Sequence, residues 1–391
     1  MNSGQERQHF PSRLCVVVSS PMTANAFLTG HLLALSQLYA VNLVCNLEDG
    51  AVSDQLVERI KVQPIAILRK LSLWADVLAL VGLIRHFFVH RYCAVISVTP
   101  KAGLLSLIAA FLSRTPVRVH IFTGQVWVTR TGVQRYFLKK IDTLMALLAT
   151  DLLADSPSQR DFLIAEGVVQ ANKIKVLASG SICGFDEARF KPCFDLRIRV
   201  RRELCIPDNA VVVLFLGRMN RDKGLLDLAQ AFAELALTQE NLWLLAVGPD
   251  EENMQEKVAK VCVAVSSRLR LVGFTQNPES FMAAADIFAL PSYREGFGSS
   301  VIEAAACGIP SLCSQIYGLT DAVVDGVTGL LHQPADISGI KKGLAKLITP
   351  EFRKTVGVAA RGRAVEQFTQ QRLTDAMCDF VEACIKNGEQ H

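Results

Sequence analysis

Short runs of Val, Ile and Leu alternate along this chain with longer segments of helical periodicity. In the first half the runs fall at Leu14 to Val18, Val41 to Cys45, Ile65 to Leu68, Val95 to Val98, Val117 to Phe122, Leu152 to Ala154 and Ile174 to Leu177. Amphipathic stretches such as Phe27 to Tyr39, Leu73 to Phe88 and Gln134 to Leu148 lie between them. A strand that is apolar on both faces must be covered on both, so this alternation predicts a parallel sheet between two helical layers. From Asp186 to Asn209 the pattern breaks into a charged stretch with Pro192 and Pro207, read as a linker over 191–209. It then resumes with strands at Val211 to Leu216, Leu242 to Val247, Leu269 to Val272, Ile287 to Leu290 and Ser311 to Cys313. Helices are expected at Leu225 to Leu237, Asn253 to Val265, Val301 to Ala306 and Ile337 to Leu347. Two doubly wound α/β domains follow, 1–190 and 210–370, with a terminal helix in 371–391 expected to cross back to the first. Facing domains of this kind leave a cleft at the carboxyl ends of their strands, where open α/β sheets bind ligands.

Length supports this division, because 391 residues suit two domains of about 180 residues each better than one core. The eleven cysteines form no C-x-x-C pair and read as reduced, mostly buried thiols of a cytoplasmic protein. No leader is read in the polar first thirteen residues. The most lipid-like stretch, Val77 to Val89, is thirteen residues long and contains Arg85 and His86, short of the roughly twenty that a membrane span needs. Net charge is +4 but unevenly placed: residues 1–195 hold 20 Lys and Arg against 14 Asp and Glu, and the remainder 21 against 23. A basic first half suits an anionic phospholipid surface or a lipid diphosphate, the alternative being an ordinary solvated surface. No nucleic-acid partner is expected.

No G-x-G-x-x-G follows the first strand, which runs instead into Ser19-Ser20-Pro21-Met22-Thr23-Ala24-Asn25-Ala26, and no P-loop motif occurs. Dinucleotide oxidoreductases and P-loop enzymes are thereby set aside. Chemistry concentrates in the second half. Gly217-Arg218-Met219-Asn220-Arg221-Asp222-Lys223-Gly224 joins a strand to a helix, so Arg218 offers a fork and Lys223 a point charge beside a helix start, an arrangement suited to a diphosphate. Tyr293-Arg294-Glu295-Gly296-Phe297-Gly298-Ser299-Ser300 follows another strand, with Glu303 two turns into the next helix. The amides of Phe297, Gly298 and Ser299 are placed to hold an anion, and each carboxylate accepts two hydroxyl donors at once, as vicinal sugar or ribose hydroxyls require. Taken singly, each residue is equally at home as a solvated or ion-paired surface charge.

Together, G-R-x4-K and the run D-I-F-A-L-P-S-Y-R-E-G-F-G-x4-E-A-x-A-C-G-I-P from Asp286, with Asp325 to Gly329 beyond, resemble family-four glycosyltransferases of the GT-B fold. The likeness extends to Thr99 to Gly103 and Gly180 to Asp186, in the manner of bacterial enzymes that build O-antigen, capsule or exopolysaccharide repeat units. It implies retaining transfer from a nucleotide diphosphate sugar, with UDP as the expected carrier, to a polyprenyl-diphosphate-linked acceptor at the inner face of the cytoplasmic membrane. It assigns Arg218 and Lys223, with Gly298 and Ser299, to the donor diphosphate, Glu295 to the transferred sugar and Glu303 to the ribose, with Phe297 beside them. No cofactor is implied. With no D-x-D present and fixed cations available to meet the diphosphate, no metal is implied either.

Three positions depart from the family pattern. Thr23-Ala24-Asn25-Ala26 replaces a glycine-rich loop, Cys183 stands where relatives often carry Asn, and Thr123 stands where many carry a histidine before Gly124. His120, three residues earlier, is the remaining histidine candidate for donor contact and catalysis, the alternative being a satisfied core or surface histidine. Rival functions are transfer to a soluble acceptor and a catalytically silent nucleotide-sugar-binding subunit. For the membrane, Arg130, Arg135, Lys139 and Lys140 cluster around Val133, Tyr136, Phe137 and Ile141, a face that either lies on anionic lipid or packs Phe137 and Ile141 into the core.

Overall fold

The computed structural model describes residues 12–68 and 72–388. Seven parallel strands form the first sheet: β1 (Arg13–Val17), β2 (Ala40–Cys45), β3 (Lys61–Pro64), β4 (Ala94–Val98), β5 (Val117–Phe122), β6 (Asp151–Ala154) and β7 (Ile174–Val176), in the order β3-β2-β1-β4-β5-β6-β7. Six more form the second: β8 (Val211–Leu216), β9 (Leu242–Val247), β10 (Leu269–Val272), β11 (Ile287–Leu290), β12 (Ser311–Ser314) and β13 (Gly329–His332), in the order β10-β9-β8-β11-β12-β13. Central strands β4, β9 and β11 are buried along their whole length, which is why they read as unbroken apolar runs. Strand order reverses between β1 and β4 and again between β8 and β11. Ligand crevices of doubly wound sheets open at such switch points.

Edges and connections depart most from the sequence reading. β3 occupies Lys61–Pro64 rather than Ile65 to Leu68, because an edge strand needs little apolar cover, whereas the more apolar residues that follow leave the sheet and bury Ile67. β13 escapes the apolar pattern because it is four residues long and opens on glycine. The stretch 191–209 holds a helix, Phe194–Glu203, which packs on the second domain. Its charges are structural: Arg197 and Arg201 each meet the Asp286 carboxylate at 2.7 Å. The buried Arg201 guanidinium also donates to the carbonyls of Ala284, Pro207, Asp208 and Ala210, pinning the segments that lead into β8 and β11. The apolar helix expected to end at Phe88 runs Leu73–His90, eighteen residues, long and apolar enough by length and composition to cross a membrane. Ala79, Leu83, His86 and Phe87 nevertheless bury one face of it in the first domain.

Two seams join the domains. At the first, the Phe185 amide donates to Phe368 O and the Gln370 amide to Phe185 O, both at 2.9 Å, so the chain passes between the domains twice side by side. The helix Gln370–Gly388 then buries Leu373, Met377, Val381 and Ile385 in the core that holds Leu14 and Val16 of β1. His31 ties it further: Nε2 donates to Ile182 O at 2.5 Å, leaving Nδ1 to accept from the Thr374 hydroxyl at 3.1 Å. The second seam lies in the cleft, where Ser156 Oγ donates to Gly296 O at 3.0 Å, the Gly318 amide donates to Ser158 Oγ at 2.8 Å, and Phe162 stacks on Tyr317 at 4.6 Å.

Asp155 sits inside this second seam, with a Gly296 side chain excluded by its Oδ2 and with its Oδ1 buried and unpartnered among the described residues. Burial, and secondarily the negative charge of Glu295, push its carboxyl up from 3.8 to about 8. The unfolded chain therefore releases this proton first, and the group's contribution to stability falls as pH rises from about 4 to about 8. Thermal melts of the protein and of Asp155→Asn should coincide near pH 4 and separate in favour of the variant towards pH 8. Curves that stay parallel across that range would contradict the burial of an ionisable acid here.

Candidate active site

β8 delivers its chain end into the turn carrying Arg218 and Lys223, and the helix Leu225–Ala236 follows. Gly224 closes that turn at φ 68°, where a side chain would come within 2.0 Å of Pro291 O, so glycine is required for the turn to reach the loop after β11. Three contacts then lace the two loops together. Lys223 Nζ donates to Glu295 Oε1 at 2.5 Å, Arg294 Nε to Asp222 Oδ2 at 2.7 Å, and the Tyr293 amide to Asp222 O at 2.8 Å. The Lys223 and Glu295 side chains are only 18% and 12% exposed, and Ser292 Oγ adds a second donor to Glu295 Oε1 at 2.8 Å.

Arg218 is placed differently. Its side chain is 44% exposed and Nη1 stands 3.3 Å from Glu251 Oε2, a solvent-screened pair of small net worth. Such a guanidinium can exchange its carboxylate for a phosphate at little cost. The helix Ser299–Ala306 begins at Gly298, whose φ of 90° suits glycine, and no side chain caps its first amides. Those N–H groups and the helix dipole favour an anion at this point. Phe297 contributes through its backbone, because its ring is buried against Phe368 at 5.2 Å. Ser299 hydrogen-bonds Cys183, whose thiol burial pushes up to about 12. Glu303 is partly buried, and desolvation, only partly offset by Arg189, raises its carboxyl to about 7. A carboxyl in that range, lacking a strong cation partner, is well matched to the hydroxyls of a neutral ribose.

The first domain closes on the same loop. A side chain at Gly124, just beyond β5, would come within 3.1 Å of the Glu295 carbonyl carbon and the Gly296 nitrogen, and Arg294 Nη1 reaches towards Gly124 O at 3.5 Å. His120 is not brought to this place. Its ring is 1% exposed, its Nδ1 lies 2.9 Å from Ser97 Oγ, and Phe122 packs edge-on at 4.8 Å. Burial lowers it to about 3, so it is a neutral histidine held inside the first domain. The structure thus gathers Arg218, Lys223, Glu295, Glu303, Gly298 and Ser299 around the second switch point and leaves His120 outside. Arg294, Asp155, Ser156 and Ser158 were not anticipated. Ser156 does cap the helix Pro157–Ala165, so a Ser-Pro helix start directly after a strand was the available signal.

Comparison with known proteins places this geometry. The family model described as Glycosyl transferases group 1 matches residues 197–363, a span that contains Arg218, Lys223, Glu295 and Glu303. A capsular polysaccharide biosynthesis glycosyltransferase of Staphylococcus aureus, CapM, is 30% identical over 323 residues, covering 82% of this chain and 84% of that protein. The UDP-Gal:alpha-D-GlcNAc-diphosphoundecaprenol alpha-1,3-galactosyltransferase of Escherichia coli is 24% identical over 357 residues, covering 90% and 91%. Among solved structures, HepE of Anabaena in complex with UDP and glucose superposes with a TM-score of 0.80 at 19% identity, covering 95% of this chain and all of that one. The chain belongs to the group 1 glycosyl transferases and is a GT-B glycosyltransferase of the polysaccharide-biosynthesis type.

Proposed function

We propose that the protein transfers a sugar from a UDP-linked donor to a polyprenyl-diphosphate-linked saccharide at the inner face of the cytoplasmic membrane, with retention of configuration and without a metal ion. The observation that carries this reading is the convergence of Arg218, Lys223 and an uncapped helix start on one side of the cleft with Glu295 and Glu303 beside them. Arg218, Lys223 and the amides at Gly298 and Ser299 neutralise the diphosphate as it departs, the part that a divalent ion takes elsewhere. Glu295 accepts hydroxyls of the transferred sugar and orients it; Glu303 accepts those of the ribose. In the transfer the bond from the anomeric carbon to the diphosphate breaks, the acceptor oxygen bonds to that carbon on the same face, and its proton passes to the departing phosphate oxygen. His120, neutral and enclosed, serves the first domain's packing.

UDP and a lipid diphosphate acceptor are supported by the names of the relatives, since the Escherichia coli protein is described as using both and HepE was solved with UDP. Contact with an anionic membrane is supported by the helix Gly132–Leu148, which exposes Val133, Tyr136 and Phe137 with Lys140 beside Tyr136. Arg135 and Lys139 there are shared with Glu166, at 3.1 and 2.7 Å, so they contribute less positive charge than their number suggests.

Purified protein supplied with a UDP-sugar and a polyprenyl-diphosphate saccharide should release UDP at an undiminished rate in excess chelator. Loss of turnover that magnesium or manganese restores would contradict the metal-free assignment. Replacing Glu295 with Ala should lower kcat about a hundredfold, since orientation of the sugar is lost, and should also lower the melting temperature, since Lys223 loses its partner. Arg218→Ala should weaken UDP binding by roughly 1.5–3 kcal/mol in a titration calorimeter, the worth of a charged hydrogen bond. Wild-type turnover in the first variant, or wild-type affinity in the second, would return these residues to the ordinary surface.

A further inference from the structure

The helix Leu73–His90 turns an apolar face to solvent. Its inner side is buried in a core shared with Val17, Val44 and Val95. At roughly 100° per residue the opposite side falls on Trp74, Val81 and Phe88, flanked by Val77, Leu78 and Arg85. Trp74, Val81 and Phe88 are 75%, 57% and 55% exposed. A surface helix of a soluble domain is polar on this side, and a contiguous apolar stripe in its place marks a surface that something covers. The charges on the helix say what. Arg85 stands within the stripe, Arg91 is exposed at its end, and Arg69-Lys70 precede it in sequence. The helix has one acid, Asp76, and that is held by Lys101 at 2.6 Å.

We propose that this face lies in the headgroup region of an anionic bilayer, in its plane, as the principal membrane-docking element of the first domain. An apolar stripe edged by cations without acids complements anionic lipid. A second copy of the chain would bring Arg85 against the same apolar and basic face, where the helix's own acid, Asp76, is already held by Lys101. The helix does not cross the bilayer, because its inner face is part of the domain core and His86 Nε2 is hydrogen-bonded at 2.7 Å to Tyr92, which also receives Asn42. Its position suits the chemistry. Asp76 and Lys101 tie its first turn to the start of the helix Pro100–Leu112, directly after β4, where Thr99 meets Ser19 across the first switch point at 3.3 Å. The Trp74 end is therefore the end nearest the cleft, and an acceptor leaving the lipid there has a short path to the site. The inference deepens the lipid-linked acceptor reading and rests on it for the acceptor's route, but vesicle binding tests it without any acceptor.

The full chain is mixed with vesicles of phosphatidylethanolamine and phosphatidylglycerol, or of phosphatidylcholine alone, and sedimented at low and high salt. Wild type should bind the anionic vesicles, more weakly at high salt, and bind phosphatidylcholine poorly. Trp74→Ser/Val81→Ser/Phe88→Ser changes only outward-facing side chains, so its melting temperature and its turnover on a water-soluble diphosphate-sugar acceptor should match wild type, while partition to anionic vesicles falls by at least about tenfold. Arg85→Gln should reduce the preference for anionic over neutral vesicles. Undiminished binding by the triple variant overturns the proposal. So does a lipid-free wild-type dimer that the triple variant dissolves, which would make the face a contact between copies. If the vesicle results hold and no lipid-linked saccharide is consumed, docking stands and the acceptor reading falls.

Discussion

The two loops that meet in the catalytic cleft are held to each other by the ion pair between Lys223 and Glu295. It joins side chains 72 residues apart in sequence, one after β8 and one after β11, and it exists because those two strands are neighbours at a switch in strand order. Partly buried, the pair neutralises a cation and an anion that would otherwise be costly to hold beside each other's backbone loops. Gly224 lets the loops approach, and Arg294 with Asp222 repeats the tie. The first domain then closes on this same laced loop through Gly124 and Ser156, so its grip and the orientation of the site are one structural matter.

A nucleotide diphosphate brings negative charge that a cleft must meet with groups already in place. Two kinds are offered. Lys223 is held, and shares its charge with Glu295; Arg218 is loosely paired with Glu251 in a more exposed setting. In the proposed donor complex the held group would give position, and the loose one could follow the phosphate. Glu303, lifted towards neutrality by burial, would face a different demand in the proposed donor complex, because a ribose offers hydroxyls rather than charge. The first domain turns apolar and basic helix faces outward, the faces proposed to meet the membrane, and the terminal helix packed in its core keeps it attached to the second domain.

Much of this was legible in the residues. Continuous apolar runs at β8, β9 and β11 mark their strands because each is covered on both faces, and the turns carrying Arg218, Lys223 and Glu295 follow from where β8 and β11 end. What stayed hidden depends on tertiary partners. Arg197 and Arg201 look like a solvated linker until Asp286 and a set of carbonyls are seen to receive them. His120 looks like a site histidine by proximity to Gly124, but strand alternation turns it into the domain. Asp155, an ordinary acid in sequence, becomes a buried one only when the second domain covers it. The outward face of Leu73–His90 has a composition that suits a core helix equally well, and only its packing shows which side is free.

In the proposed function the donor is held by fixed charge on the second domain, at Arg218, Lys223 and the amides of Gly298 and Ser299. A crystal structure of the protein grown with a UDP-sugar and a chelator decides the matter. Diphosphate oxygens are expected on Arg218, Lys223 and the amides at Gly298 and Ser299, with Arg218 released from Glu251, ribose hydroxyls on Glu303 and sugar hydroxyls on Glu295. A diphosphate seated elsewhere, or one that binds only when a divalent ion bridges it to the protein, would contradict the proposal.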